Sequence, residues 1–315
     1  MTADPRPALI ALDWGTSSLR AHLLDGAGAT LESRPRPWGI TALPAGGFPA
    51  ACRETAGDWL ARWPGLPVLA CGMVGSRQGW REAAYLDCPL EVADLAAGIL
   101  RTTTECGPLA IVPGLMQRGR LPDVMRGEET QVVGALAAHP ALAERCLCVL
   151  PGTHSKWVTV RDGRIVGFTS FMTGELFAAL RDHSLLGRPA REAAGEAANA
   201  AAFERGVRVV RDAGSRSVAG LLFTTRTLWL AGDLPAADTL DYLSGLLVGD
   251  EVRSMAVGLG HDDRPPLVVI GDPALCGRYR AALAACGIDD VRSAGDTAAA
   301  GLWRIAVAAA VSPAD

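Results

Sequence analysis

A stretch near the amino end returns much later in the same register, and no other feature narrows the fold as far. Within residues 10–26, Gly15, Thr16, Ser18, Asp25 and Gly26 recur inside residues 147–163 as Gly152, Thr153, Ser155, Asp162 and Gly163. In both copies an apolar run stops at Gly-Thr, polar residues follow, alternation resumes and Asp-Gly closes the stretch. That order predicts a strand, a tight polar turn, a second strand and a hairpin turn. A Gly-Thr-x-Ser turn brings backbone N–H groups and hydroxyls close to an oxyanion, because glycine has no Cβ to block the approach. Two such turns facing each other can grip a polyphosphate from both sides.

The rest of the chain alternates strand and helix patterns. Phe48, Cys52, Ala56, Trp59, Leu60 and Trp63 recur at helical spacing and end at Pro64-Gly65, which predicts an amphipathic helix. Strands are expected at 30–32, 67–71, 109–112, 164–168 and 267–270. Helices are expected over 91–101, from 126–131 to about 139, after 169–175, through 190–211, on to about 257, and over 297–310. Strands followed by helices, twice over, predict two α/β domains with mixed sheets, divided at 1–142 and 143–315.

At 315 residues the chain has room for two cores. A formal net charge of −4 gives no general attraction to nucleic acid or an anionic membrane. The eight cysteines form no C-x-x-C pair and read as small core residues of a reducing compartment. The longest apolar stretch, 297–311, is interrupted by Arg304 and too short to span a bilayer, so a soluble cytoplasmic protein is expected. Oligomeric state stays open, a homodimer included. There is no G-x-x-x-x-G-K-[ST] pattern, no G-x-G-x-x-G after a strand and no nucleophile elbow.

The paired stretches resemble the phosphate loops of the sugar kinase, actin and Hsp70 superfamily. That resemblance implies two ribonuclease-H-like domains around an ATP cleft, with Mg²⁺ and ATP as cofactors. Asp13-Trp14-Gly15-Thr16 matches the superfamily's Asp-x-Gly-Thr pattern; in the second copy Leu150 stands where the pattern often has Asp. Phosphoryl transfer asks for anion-binding turns, Mg²⁺ and a base for the attacking hydroxyl. Asp13 is the candidate metal ligand. Gly15, Thr16, Ser17, Gly152, Thr153, His154 and Ser155 are candidate phosphate donors, with Arg20 and Lys156 as nearby cations or solvated strand residues. Gly127-Glu128-Glu129 resembles the superfamily's general-base segment, and the sequence leaves Glu128 and Glu129 both open. Gly134 falls where a close helix contact would sit. Gly271-Asp272 resembles the adenosine segment and 295–301 the small-residue connecting helix.

Four stretches together, 72–80, 125–131, 150–157 and 171–177, are similar to the 2-dehydro-3-deoxygalactonokinase family. The similarity implies ATP-dependent phosphorylation of a small sugar acid, 2-dehydro-3-deoxy-D-galactonate, at its 6-hydroxyl. Arg77 in a Gly-rich loop is then the expected carboxylate ligand, with Ser76 and Gln78 on hydroxyls, Trp80 over the carbon chain and Glu175 a further substrate contact; the alternatives are surface charge for Arg77, core packing for Trp80 and a helix start for Glu175. Two other classes compete: an exopolyphosphatase-like phosphohydrolase, which would need a basic channel, and an ATP-gated binding protein with no acceptor sugar.

Overall fold

The computed structural model describes residues 6–193, 198–259 and 264–311. The first copy of the repeat is an antiparallel hairpin of β1 (Pro7–Trp14) and β2 (Leu19–Asp25). Leu9, Ile10, Ala11 and Leu12 are all buried, as expected of a strand covered on both faces. β3 (Thr30–Arg36) pairs with β2 and forms the sheet edge, where Pro35 costs no ladder bond. After α1 (Gly47–Arg62), β4 (Val68–Gly72) lies parallel to β1 on its other side.

The next segment departs from expectation. After the short strand β5 (Tyr85–Asp87) comes α2 (Val92–Ala97), and Leu100 then opens β6 (Leu100–Thr104), antiparallel to β7 (Gly107–Ile111). The helix expected over 91–101 therefore ends at Gly98. A capping box between Glu91 and Asp94 fixes its start, but Thr102, Thr103 and Thr104 are β-branched and favour the pleated conformation. β8 (Gly114–Gln117) and β9 (Asp123–Met125) join β5 in a separate sheet of order β5-β8-β9. Strands of three or four residues are too short for a period to show in the sequence.

α3 (Glu128–Ala138) leads to the second copy, β10 (Arg145–Leu150) and β11 (Ser155–Arg161), followed by β12 (Arg164–Phe171). Six helices come next: α4 (Thr173–His183), α5 (Arg188–Glu192), α6 (Ala200–Arg211), α7 (Val218–Leu222), α8 (Thr224–Leu230) and α9 (Thr239–Ala256). Part of the helical stretch expected over 190–211 lies outside the described residues. β13 (Leu267–Ile270), α10 (Pro273–Ala285), β14 (Val291–Gly295) and α11 (Ala298–Ala308) complete the chain. No helix of the described residues is long and apolar enough to cross a membrane.

The main sheets run β3-β2-β1-β4-β7-β6 and β12-β11-β10-β13-β14. Each starts from a third strand, passes back through a hairpin to the first, and continues with later strands, three in the first sheet and two in the second. The fold is thus mixed α/β with two mixed sheets of ribonuclease-H-like type.

The chain packs as two units. One holds the residues up to Cys148, Val158–Thr169 and the residues from Asp296 on; the other holds Val149–Trp157 and Ser170–Gly295. The first unit's core gathers Leu12, Trp14, Trp59, Val68 and Ile111. Within that unit α11 crosses α3 where Gly134 meets Gly301. A Cβ on Gly134 would stand 2.0 Å from the Thr297 carbonyl oxygen, and one on Gly301 1.9 Å from that of Thr130, so the crossing requires glycine on both helices. The Thr297 hydroxyl donates to the Gln131 carbonyl (2.6 Å). This crossing fixes where Asp296, two residues before α11, comes to lie. In the second unit α9 packs on α6, with Ala202, Val210, Tyr242 and Leu246 forming the seam.

Candidate active site

Asp13 is next to last in β1, and the hairpin register sets Arg20 opposite it. Arg20 Nη1 lies 2.7 Å from Asp296 Oδ2 and 3.9 Å from Asp13 Oδ2. One guanidinium therefore bridges two carboxylates. Burial, followed by the Asp296 charge, pushes the Asp13 pKa up to about 6, opposed by Arg20 and the Cys71 thiol. Two hard oxygen donors needing positive charge suit Mg²⁺, which takes one or two carboxylates and fills its shell with water and phosphate oxygens. Among the described residues no three His, Cys, Asp or Glu side chains converge as a metal cluster.

The first polar turn is closed by the Gly15 N–H donating to Ser18 O (2.9 Å). The carbonyls of Gly15 and Thr16 accept from the N–H groups of Ile40 and Thr41, and Thr16 O also accepts the Thr41 hydroxyl (2.8 Å). The Pro- and Gly-rich loop thus takes up the turn's acceptors, while Thr16 and Ser17 are exposed. A turn whose acceptors are occupied and whose donors are open is suited to an anion.

The structure separates the two glutamates. Glu129 is 0% exposed: Oε2 accepts the Gly127 N–H (2.7 Å) and Oε1 the Thr130 hydroxyl (3.0 Å). Burial, then the Glu128 charge, pushes its pKa up to about 7. Glu128 is half-buried, and its Oε2 accepts the Arg126 N–H (3.0 Å). Glu128 is thus partly open at the surface, whereas Glu129 is sealed.

The loop after β4 disperses its candidates. Ser76 is buried and its hydroxyl has no partner, whereas Arg77 and Gln78 are exposed. Trp80 is 8% exposed and stacks on Phe48 (5.9 Å), with Trp14 edge-on to it (6.0 Å). Most of its ring is committed to the first unit's core.

In the second polar turn Thr153 and His154 are exposed, and Ser155 and Lys156 are buried. The α4 start braces this turn. Glu175 N–H donates to Thr153 O (2.9 Å), and the Glu175 carboxylate pairs with His154 Nε2. A Cβ on Gly174 would stand 2.2 Å from the Gly152 carbonyl oxygen. Glu175 is thus a partner of the histidine of the second polar turn. Leu150, at the end of β10, is buried.

Behind the turn, Glu251 of α9 is a buried acceptor for Trp157 Nε1 (2.7 Å), the Tyr279 hydroxyl (2.8 Å) and the Thr173 hydroxyl. Burial, then the Glu251 charge, pushes the Tyr279 phenol far above its ordinary value. These segments wall a cavity of about 420 Å³ lined by Gly152, Gly174, Asp241, Ser244, Leu275 and Arg278, within the size range of small-molecule sites. Gly271 (φ 129°) donates its N–H to Gly295 O (2.9 Å). Asp272 Oδ1 accepts the Leu275 N–H (3.0 Å), capping α10, which brings Leu275, Arg278 and Tyr279 to the cavity wall.

Sequence reasoning missed Asp296, Asp241, Arg278, Glu251 and Arg126. Asp296 meets Arg20 across 276 residues of chain, which no local pattern records. Glu251 did leave a signal, as an acidic residue on the buried face of α9 beside Leu247, Val248 and Val252.

The profile of the 2-keto-3-deoxy-galactonokinase family matches residues 13–305. A 2-dehydro-3-deoxygalactonokinase of Escherichia coli is 38% identical over 305 residues, covering 96% of this chain and 98% of that one. The probable 2-dehydro-3-deoxygalactonokinase of Rhizobium meliloti is 38% identical over 302 residues, covering 93% and 97%. A solved structure of a candidate 2-dehydro-3-deoxygalactonokinase from Sinorhizobium meliloti superposes with a TM-score of 0.84 at 38% identity, over 95% of this chain and 98% of that one.

Proposed function

The chain belongs to the 2-keto-3-deoxy-galactonokinase family, and on that premise we propose how its residues move phosphate from ATP to the 6-hydroxyl of 2-dehydro-3-deoxy-D-galactonate. The observation that carries the assignment is the start of α3, where Glu129 is sealed and Glu128 is open. Glu128 takes the proton of the 6-hydroxyl as that oxygen attacks the γ-phosphorus. The bond from phosphorus to the β–γ bridging oxygen breaks, and ADP leaves with the electron pair. A carboxylate so placed contributes roughly 10²- to 10⁴-fold to the rate.

Asp13, joined by Asp296, is the pair that would hold Mg²⁺, which when bound neutralises charge on the phosphates. Gly15, Thr16 and Ser17 in the first turn, and Gly152, Thr153 and His154 in the second, are the phosphate donors. Arg20 and Lys156 add positive charge, and Ser155 and Glu175 hold the second turn in shape. The cavity beside Gly152 takes the nucleoside, its wall set by α10 behind Gly271 and Asp272. Ser76 and Gln78 face the sugar acid.

The test is ADP release from Mg-ATP with and without 2-dehydro-3-deoxy-D-galactonate, with the gluconate-derived epimer as comparison. Strong stimulation by the galactonate acid is expected. Turnover indifferent to either acid would remove the kinase reading and favour a hydrolase.

A further inference from the structure

Arg126 directly follows β9 and is 7% exposed. Its Nη2 donates to the Ala83 carbonyl (2.8 Å), but Nε and Nη1 have no partner. Among the described residues it pairs with no carboxylate. The Tyr85 ring lies 4.2 Å from the guanidinium carbon, a cation–π contact that offsets only part of the cost of burying a charge without a counter-ion. Buried donors in native proteins almost always find a partner. Two such atoms on one cation point to an anion.

The surroundings say which anion. Arg126 Nη1 lies against the loop after β4, 3.0 Å from where a Cβ on Gly75 would stand. The next residue, Ser76, is 5% exposed and has a second orphaned group, its hydroxyl. Tyr85, the ring against the guanidinium, is itself 38% exposed. Through its backbone N–H, Arg126 also holds Glu128, the proposed base (3.0 Å). One residue therefore touches the base through its main chain and carries an unsatisfied cation at the far end of its side chain.

We propose that Arg126, with Ser76, receives the carboxylate of the sugar acid and sets the enzyme's preference for an acid over a neutral sugar. This rests on the kinase reading above. It moves carboxylate recognition from the exposed Arg77 to a desolvated guanidinium, where a charge-assisted hydrogen bond is worth most.

The test compares kcat/KM for 2-dehydro-3-deoxy-D-galactonate and for its neutral C1 carboxamide, in the wild type and in Arg126→Met. The variant is expected to lose roughly 100-fold or more on the acid, as for truncation of one partner of a buried charge pair, and far less on the amide. Equal losses on both substrates, or a collapse of the preference in Arg77→Met and not in Arg126→Met, would overturn the proposal. Wild-type turnover of the acid is the control that keeps this failure apart from failure of the kinase reading itself. If Arg126→Met does not fold, a crystal of the wild type with the acid decides: a carboxylate oxygen within hydrogen-bond reach of Arg126 supports the assignment, and a carboxylate seated elsewhere refutes it.

Discussion

The two polar turns share one backbone plan and distribute charge in opposite ways. In the first, Asp13, Arg20 and Asp296 meet at the turn itself, and burial raises the Asp13 pKa to about 6. In the second, the matching position is the buried Leu150, and a buried carboxylate, Glu251, stands behind the turn accepting three hydrogen bonds. A duplicated hairpin has thus become one turn that carries ionic chemistry and one that is held rigid by a satisfied buried network.

Exchanging the two characters should have the largest effect. Asp13→Asn is expected to lower kcat roughly 100-fold or more with no loss of unfolding free energy, since burial already disfavours its charged form. Leu150→Asp should instead cost about 3 kcal/mol or more, because it buries a carboxylate with no partner. Steady-state rates and urea unfolding separate the two outcomes, and a Leu150→Asp protein of undiminished stability would break the comparison.

A smaller effect distinguishes the sealed glutamate of the first unit from the satisfied Glu251. The folded-state pKa of Glu129, about 7, stands above the ordinary 4.5. Ionisation therefore costs the folded state stability, absent below the lower value and complete above the higher. Glu129→Gln is expected to stabilise the protein by about 3 kcal/mol near pH 8 and by far less near pH 5. Urea unfolding at both pH values checks this, and a gain independent of pH would show that the carboxyl is not the source. The smallest effect belongs to the second unit: Asp272→Ala removes the α10 cap and should cost about 1 kcal/mol in thermal unfolding, with KM for ATP rising as Leu275 and Arg278 lose their positioning.

Both hairpins were legible because the repeat is local and its Gly-Thr and Asp-Gly punctuation survives in both copies. The α3–α11 crossing was half legible: Gly134 and the small residues of 295–301 were visible, but their meeting was not. The short strands of the third sheet and β6 were hidden, the former by length and the latter because Ile99 and Leu100 extend the periodicity of α2. Arg77 and Arg126 show the limit most clearly. Both are arginines within two residues of a glycine in the sequence, and only burial and unsatisfied nitrogens tell them apart. The same holds for Glu128 and Glu129, adjacent in the chain and opposite in accessibility.

The assignment of Glu128 as the base is decided by single-turnover phosphoryl transfer in Glu128→Gln and Glu129→Gln at saturating Mg-ATP and sugar acid. The expected loss is roughly 10²- to 10⁴-fold for Glu128→Gln and much smaller for Glu129→Gln. A loss concentrated in Glu129→Gln, with Glu128→Gln near wild type, would contradict it.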